Sequence, residues 1–305
     1  MSDKLVIYHR SCFDGFCGAW LFHKIFPNAE YYAAQYGEVP PNVKDKVVYM
    51  VDFSYKLPIM LNIIKDAKAV TVLDHHKTAE AELGQLTPKV VPELDYQTGD
   101  ESLQKKIRNL QIKFDMNKSG AHIAWDYLWK WYAPKMFSVF PLEGRDRMHW
   151  LVEYTEDHDL WVHKLPNTFE IKAALKLAPF DFSKWDEYAK WRPDDLVPAG
   201  RNILQYQKVL VDQHVRNARE MVIAGHHVLV VNATVLFSDI AGELSKGRDF
   251  GACYFDRDDG IRQFSLRSRD EGIDVSEVAK KFGGGGHFHA AGFEIKSEDM
   301  DKLNG

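Results

Sequence analysis

The chain has 305 residues, 45% of them hydrophobic and 13% aromatic, which excludes a disordered or fibrous protein and supplies material for more than one core. Its length exceeds what a single core ordinarily organises, so two domains are expected. A formal net charge of −5 excludes a broadly basic polymer binder and confines any nucleic-acid contact to a local patch or a short substrate.

The first element is the apolar run "KLVIYH" (4–9), read as a strand. "DGFCGAWLFHKIF" (14–26) follows with helical spacing, then a second strand, "KVVYMVDFS" (46–54). "LPIMLNIIKDA" (57–67) reads as a short helix with Pro58 near its start, and "AVTVLDHH" (69–76) as a third strand. Strand and helix in alternation predict an α/β fold, a parallel sheet with right-handed crossovers. "LDYQTGDESLQKKIRNLQIKFDMN" (94–117) is polar and poorly periodic and reads as an insertion or surface region. "KSGAHIAWDYLWKWYA" (118–133) predicts a helix capped by Ser119, with Trp125, Trp129 and Trp131 assigned to core packing rather than base stacking. "RMHWLVEYTEDHDLW" (147–161) predicts a helix that ends in an acidic turn.

"WRPDDLVPAG" (191–200) carries two prolines and a glycine and reads as a boundary. A long amphipathic helix (201–221) follows as a linker. Beyond it, "HHVLVVNA", "ACYFDRDD" and "RQFSLRSR" read as strands, and "VSEVAKKF" as a short helix running into "GGGGHFHAAGF". The expected division is a domain over 1–195, a linker over 196–222 and a smaller α/β domain over 223–305.

In parallel sheets, ligands collect at the carboxyl ends of the strands. All three early strands end in polar residues: His9 and then Asp14; Asp52; Asp74, His75 and His76. Each has an ordinary reading alone. Asp14 starts a helix, Asp52 caps a turn, and adjacent histidines are commonly an exposed pair. Asp157 and Asp159 read singly as solvated acids. Together, in this order and at these ends, they read as a metal site. Carboxylates suit Mg²⁺ or Mn²⁺, and imidazole shifts the preference toward Mn²⁺, Fe²⁺ or Zn²⁺. Asp52 is the central carboxylate, His75 a ligand, and His76 faces substrate as a phosphate partner or proton donor. The run Gly283–Gly286 permits positive φ and close approach, so that its N–H groups can face a phosphate, with His287 directly after it.

The motifs "YHRSCFDG", "VDFS", "LDHHK", "EDHDLW" and "GGGGHFHAAGF" together resemble the ordered motifs of the DHH phosphoesterase superfamily with its C-terminal associated domain. The resemblance spans nearly the whole chain. It implies an N-terminal α/β domain carrying metals, a smaller C-terminal α/β domain carrying a substrate clamp, and a cleft between them. By motif match it implies His9, Asp14, Asp52, His75 and Asp157 as metal ligands, with Asp159 in reserve for the last. Asp74 would orient His75, and His76 would stand on the phosphate side. Arg267, Gly284, Gly285, Gly286 and His287 would bind substrate, with Arg269 a weaker candidate than Arg267. Cys12 falls where the family has an aspartate. Thiolates are poor partners for Mg²⁺ and Mn²⁺, so Cys12 is expected to be a bystander, a small half-buried hydrophobe.

The implied activity is hydrolysis of phosphoester bonds in short nucleotides or single-stranded oligonucleotides, with one or two Mn²⁺ or Mg²⁺ ions activating water. The relatives range from nanoRNases that also act on 3′-phosphoadenosine-5′-phosphate to cyclic-dinucleotide phosphodiesterases and RecJ-type exonucleases. A ligand-binding scaffold with a degenerate metal site is the non-enzymatic alternative. Three cysteines, an odd count, read as free thiols in a reducing compartment, and no segment has the length of a membrane span. A cytoplasmic protein without membrane contact is the expectation, with a homodimer as the candidate assembly.

Overall fold

The computed structural model describes residues 2–84, 86, 109–141, 143–144 and 147–304. Two compact units divide at Arg201 and Asn202. In the first, a five-stranded parallel sheet has the order β2-β1-β3-β4-β5. Its strands are β1 (Lys4–His9), β2 (Glu30–Ala34), β3 (Val47–Val51), β4 (Ala69–Asp74) and β5 (Leu110–Phe114). Helix α1 (Phe13–Ile25) links β1 to β2, α2 (Leu57–Asp66) links β3 to β4, and α3 (Lys77–Leu83) follows β4.

Alternation along each strand feeds two cores. Val6, Tyr49, Val51 and Leu73 pack on one face with Phe16, Trp20 and Phe22 of α1. Leu5, Ile7, Val48, Met50, Val70 and Val72 pack on the other with Met60, Ile63 and Ile64 of α2. A sheet covered on both faces has near-continuous apolar strands, as these have, so polar side chains are left for the strand ends.

Helix α4 (Gly120–Val139) lies against α1 and begins at Ser119, whose Oγ accepts the N–H of His122 at 3.2 Å. It runs past the predicted end at 133 and kinks at Tyr132, close to Pro134, which has no N–H to give the ladder. Trp125 and Trp129 are core residues; Trp131 is exposed. Then come α5 (Trp150–Asp159), α6 (Thr168–Leu175), α7 (Phe182–Tyr188) and α8 (Val197–Val215).

Two parts of the sequence reading gain detail. "WRPDDLVPAG" (191–200), read as a boundary, ends directly before the division at Arg201 and Asn202, and it is built without an open loop: a 3-10 turn over Pro193–Leu196 leads straight into α8, Leu196 is buried, and Gly200 lies tight against the backbone of Glu170. Prolines at the first turn of a helix are tolerated. The polar segment 94–117 holds β5 at its end, where Leu110 is buried; its residues up to 108 lie outside the described residues.

The second unit carries a six-stranded sheet of order β10-β11-β9-β8-β7-β6. It comprises β6 (Arg219–Ile223), β7 (His226–Asn232), β8 (Gly251–Asp256), β9 (Ile261–Arg267), β10 (Gly285–His287) and β11 (Ala290–Lys296). Only β7 and β8 pair in parallel; α9 (Phe237–Leu244) joins them. The short helix α10 (Val275–Lys280) precedes the glycine run.

Candidate metal centre

The carboxyl ends of β1, β3 and β4 bring their polar residues into one cluster, joined by the start of α1 and the end of α5. His75 Nε2 is its hub. It lies 3.2 Å from Asp52 Oδ1, 3.4 Å from Asp159 Oδ2 and 3.6 Å from Asp14 Oδ2. On the other side, Asp52 Oδ2 lies 3.6 Å from His9 Nδ1. The two oxygens of Asp52 therefore face two different donor groups. One is Asp14, His75 and Asp159; the other is His9 and Cys12, whose Sγ lies with the His9 ring nitrogen and the Asp52 carboxylate within a 4.8 Å span.

Asp52 is buried to 1% exposure, with a left-handed backbone at φ +53°. Asp tolerates that region better than most residues, and the turn it makes aims the carboxylate along the strand end. Asp14 is wholly buried at the first turn of α1, and its two oxygens accept the N–H groups of Gly120 at 2.5 Å and Ala121 at 2.8 Å. It thus sits on the positive end of α4. That approach needs Gly120: a Cβ there would lie 2.6 Å from Cβ of Asp52 and 2.9 Å from Oδ2 of Asp14.

The electrostatics show what the cluster lacks. Burial pushes the Asp14 carboxyl well above the usual range, and the charges of Asp52 and Asp159 push it further. Burial likewise raises Asp159, beyond what His75 offsets. Burial would raise Asp52 too, but the surrounding imidazoles, His75 first, outweigh it and hold it at about 2. Burial would lower His75, yet the Asp52 hydrogen bond and the carboxylates around it lift it to about 9. Burial and the Asp52 and Asp14 charges raise the Cys12 thiol. Three carboxylates crowd one spot with a single imidazolium among them. The buried atoms Asp52 Oδ2 and His9 Nδ1 have no hydrogen-bond partner among the described residues. A divalent cation would answer both the excess negative charge and the unused lone pairs, so the residues fit a metal.

Two expectations for individual residues are corrected. Asp157 does not join the cluster: its Oδ1 accepts the N–H groups of Lys164 at 2.8 Å and Leu165 at 3.3 Å, fastening the loop after α5. Asp159 takes the place beside His75. The helical phase carried that signal, since Asp159 lies three and four residues on from Val152 through Thr155, both buried. Nor does Asp74 orient the His75 ring. Its Oδ1 takes the Nδ1–H of His76 at 2.7 Å and the backbone N–H of both histidines, while Oδ2 accepts from Ser54 Oγ at 3.0 Å. Asp74 is a fixed base under His76 and raises its pKa, chiefly through that hydrogen bond.

One aromatic neighbour was not read from the sequence. Tyr36 follows β2 in a turn closed by the Glu38 N–H to the Gln35 carbonyl at 3.2 Å, with Gly37 at φ +89°. Arg10 forks onto Glu38 at 2.7 and 2.8 Å and fixes the turn against the end of β1. The half-exposed Tyr36 ring lies 5.3 Å from the His9 ring and 6.2 Å from that of His76.

In the second unit, the glycine run is a hairpin approach. The N–H groups of Gly283 and Gly284 are already donated to Lys280 and Ala279 carbonyls at the end of α10. Those two amides are therefore not free to cradle a phosphate, which corrects the expectation for Gly284. Gly285, Gly286 and His287 pair with β11, and Gly286 adopts φ +150° where a Cβ would lie 2.4 Å from the Ala290 carbonyl. His287 is exposed. Arg267 is half-buried, and its guanidinium donates to the Leu266 carbonyl at 2.7 Å and to Ser238 Oγ at 2.5 Å. Arg269 is spent on the Gly242 carbonyl.

Residues 234–304 match the model of the DHHA1 domain. Over 98% of this chain and 88% of the other, the fold matches a structure of exonuclease RecJ bound to manganese, at TM-score 0.52 and 13% identity. The family likeness is thus carried by the C-terminal part of the chain, and the likeness over the whole chain is one of fold. Two curated relatives are Uncharacterized protein R106 of Acanthamoeba polyphaga mimivirus, 27% identical over 94% of this chain, and Oligoribonuclease NrnB of Bacillus subtilis (strain 168), 28% identical over 46%. The chain spans 66% of the first and 34% of the second. Among the described residues no helix is long and apolar enough to cross a membrane. The Asp74-His75-His76 triplet supplies one fixed carboxylate, the imidazole at the hub and a second imidazole bonded to Asp74.

Proposed function

We propose that the chain is a metal-dependent phosphoesterase acting on short nucleotide substrates. The observation that carries this is Asp52: one buried carboxylate whose two oxygens face two donor groups, with lone pairs left unused on it and on His9. A pair of divalent cations held across such a carboxylate would polarise a water and neutralise charge on a phosphoryl group. The similarity to an oligoribonuclease supports the nucleotide class, and the structure of a relative with manganese supports Mn²⁺, with Mg²⁺ next.

The chain's own residues do the rest. Asp14, Asp52, Asp159, His9 and His75 hold charge in place, and their burial keeps the geometry from relaxing. Asp74 fixes His76 through Nδ1 and favours its protonated form, so Nε2 remains for a phosphate oxygen or for protonating the leaving oxygen. In the second unit, Arg267 and His287 are the side chains offered to an anionic group, Arg267 through a guanidinium whose hydrogen bonds go to the Leu266 carbonyl and the Ser238 hydroxyl.

The test is hydrolysis with Mn²⁺ of a panel: a dinucleotide, a longer single strand, a cyclic dinucleotide, 3′-phosphoadenosine-5′-phosphate and pyrophosphate. A dinucleotide or 3′-phosphoadenosine-5′-phosphate should be cleaved best, and His76→Ala should lower kcat by roughly 10²–10⁴-fold. A wild-type chain loaded with Mn²⁺ that cleaves none of the panel ends the proposal.

A further inference from the structure

We infer that the His9–Cys12–Asp52 group is a position for a borderline cation, Zn²⁺, Fe²⁺ or Co²⁺, held through the Cys12 thiolate, and that it differs in preference from the Asp14–His75–Asp159 group beside it. This rests on the metal-site reading and refines it: the two halves of the centre are chemically unequal.

The geometry is specific. Cys12 ends the loop after β1 and occupies the cap position of α1, yet its side chain makes no capping bond. Sγ instead stands within the same 4.8 Å span as a His9 ring nitrogen and an Asp52 carboxylate oxygen. Asp52 is 1% exposed, and its Oδ2, like His9 Nδ1, is buried without a partner. A small hydrophobe packing under the loop would not need an imidazole nitrogen and a buried carboxylate oxygen within 4.8 Å of it.

The donor types then choose the ion. One imidazole nitrogen, one thiolate and one carboxylate, with room for a further ligand, are the set that Zn²⁺ and Fe²⁺ or Co²⁺ accept, and a thiolate adds little for Mg²⁺ or Mn²⁺. The other group offers carboxylates from Asp14 and Asp159 with the imidazole of His75, whose Nε2 also lies 3.2 Å from Asp52 Oδ1. That oxygen-rich set suits Mn²⁺ or Mg²⁺. As the metal–sulfur bond forms, the S–H bond breaks and its proton passes to solvent.

The experiment uses the full chain stripped of metal by a chelator and titrated with Co²⁺. Wild type should develop a sulfur-to-cobalt charge-transfer absorption at one equivalent. Zn²⁺ should abolish it by displacement, and Mn²⁺ at equal concentration should not. Cys12→Ser should lack the band while keeping the fold by circular dichroism. Cys12→Asp should lower the ratio of Zn²⁺ to Mn²⁺ affinity by about tenfold or more. The other thiols are poor sources for the signal: Cys17 and Cys253 are buried at 0% and 1% exposure in apolar cores. No band in wild type, a band that survives in Cys12→Ser, or an unchanged ratio in Cys12→Asp overturns the inference. These readouts do not involve turnover, so a chain that shows them and hydrolyses nothing would defeat the phosphoesterase reading alone.

Discussion

At the residue scale, Asp157 and Asp159 show how two acids in one short motif divide their work. Both are carboxylates near the end of α5, and the resemblance to the family motif implied Asp157 as the ligand, with Asp159 in reserve. The structure uses Asp157 as a fastener for the following loop and puts Asp159 3.4 Å from His75. Asp159→Asn should therefore weaken metal binding by roughly 10–100-fold with little change in stability. Asp157→Ala should do the reverse, costing about 1–3 kcal/mol in denaturant unfolding while metal affinity holds. Equal metal affinities for wild type and Asp159→Asn would return the role to Asp157. Tyr36 belongs to the same scale. Its turn gave only the weak signal of a Gly after a Tyr, and nothing in the local pattern says that an aromatic ring will be held beside two histidines 27 and 40 positions away. Its open face can stack on a base or sugar, so Tyr36→Leu should raise KM for a dinucleotide by about tenfold with a smaller effect on kcat, and Tyr36→Phe should be silent. Steady-state kinetics decide it; a purely structural Tyr36 would lower the thermal midpoint and leave KM alone.

At the element scale, the candidate metal centre depends on how closely helices approach strand ends. The core strands were readable because a doubly covered sheet demands apolar runs, and β1, β3 and β4 have them. The edge strands were not. In β2, "EYYAA" buries only Ala34, and in β5, "LQIKF" buries only Leu110, so neither shows an apolar run. Ser119 was legible as a cap, but the residue behind it matters more to the site. Gly120 lets the start of α4 press against Asp14 and Asp52. Gly120→Ala would force Cβ into a 2.6 Å approach to Cβ of Asp52. The helix must then back away, Asp14 loses its two backbone donors, and the hub geometry opens. The expected result is about 1–3 kcal/mol of lost stability together with a clear loss of Mn²⁺ affinity. Isothermal titration beside urea unfolding tests it, and normal metal affinity in the folded variant would show that α4 does not set the site.

At the scale of the whole molecule, the order of motifs along the chain was legible, and so was the existence of two sheets. The helical conformation of 193–200 was not, because Pro193 and Pro198 open helical turns instead of ending them. Stability of the first unit also carries a pH signature that composition could not disclose. His149 is 5% exposed among Trp20, Phe140 and Trp150. Its Nδ1 accepts the Leu151 N–H at 3.3 Å as the cap of α5, and its Nε2 lies 3.2 Å from the Ala189 carbonyl. That pairing requires the neutral ring with the proton on Nε2, and a second proton would destroy the cap. Burial, chiefly, depresses its pKa from 6.5 to about 4. Between those values the unfolded chain takes up a proton that the folded chain refuses. The stabilisation is complete above the unfolded value and is lost as the pH falls from 6.5 toward 4. The loss reaches about 3 kcal/mol and grows no further below the folded pKa. His149→Gln keeps an acceptor and a donor without the titration, so its unfolding free energy should fall less steeply than wild type across that window. Chemical denaturation of both proteins at closely spaced pH values, with chelator present, gives the comparison. Parallel curves would mean that the ring is protonated in the folded chain and that the cap is made in some other way.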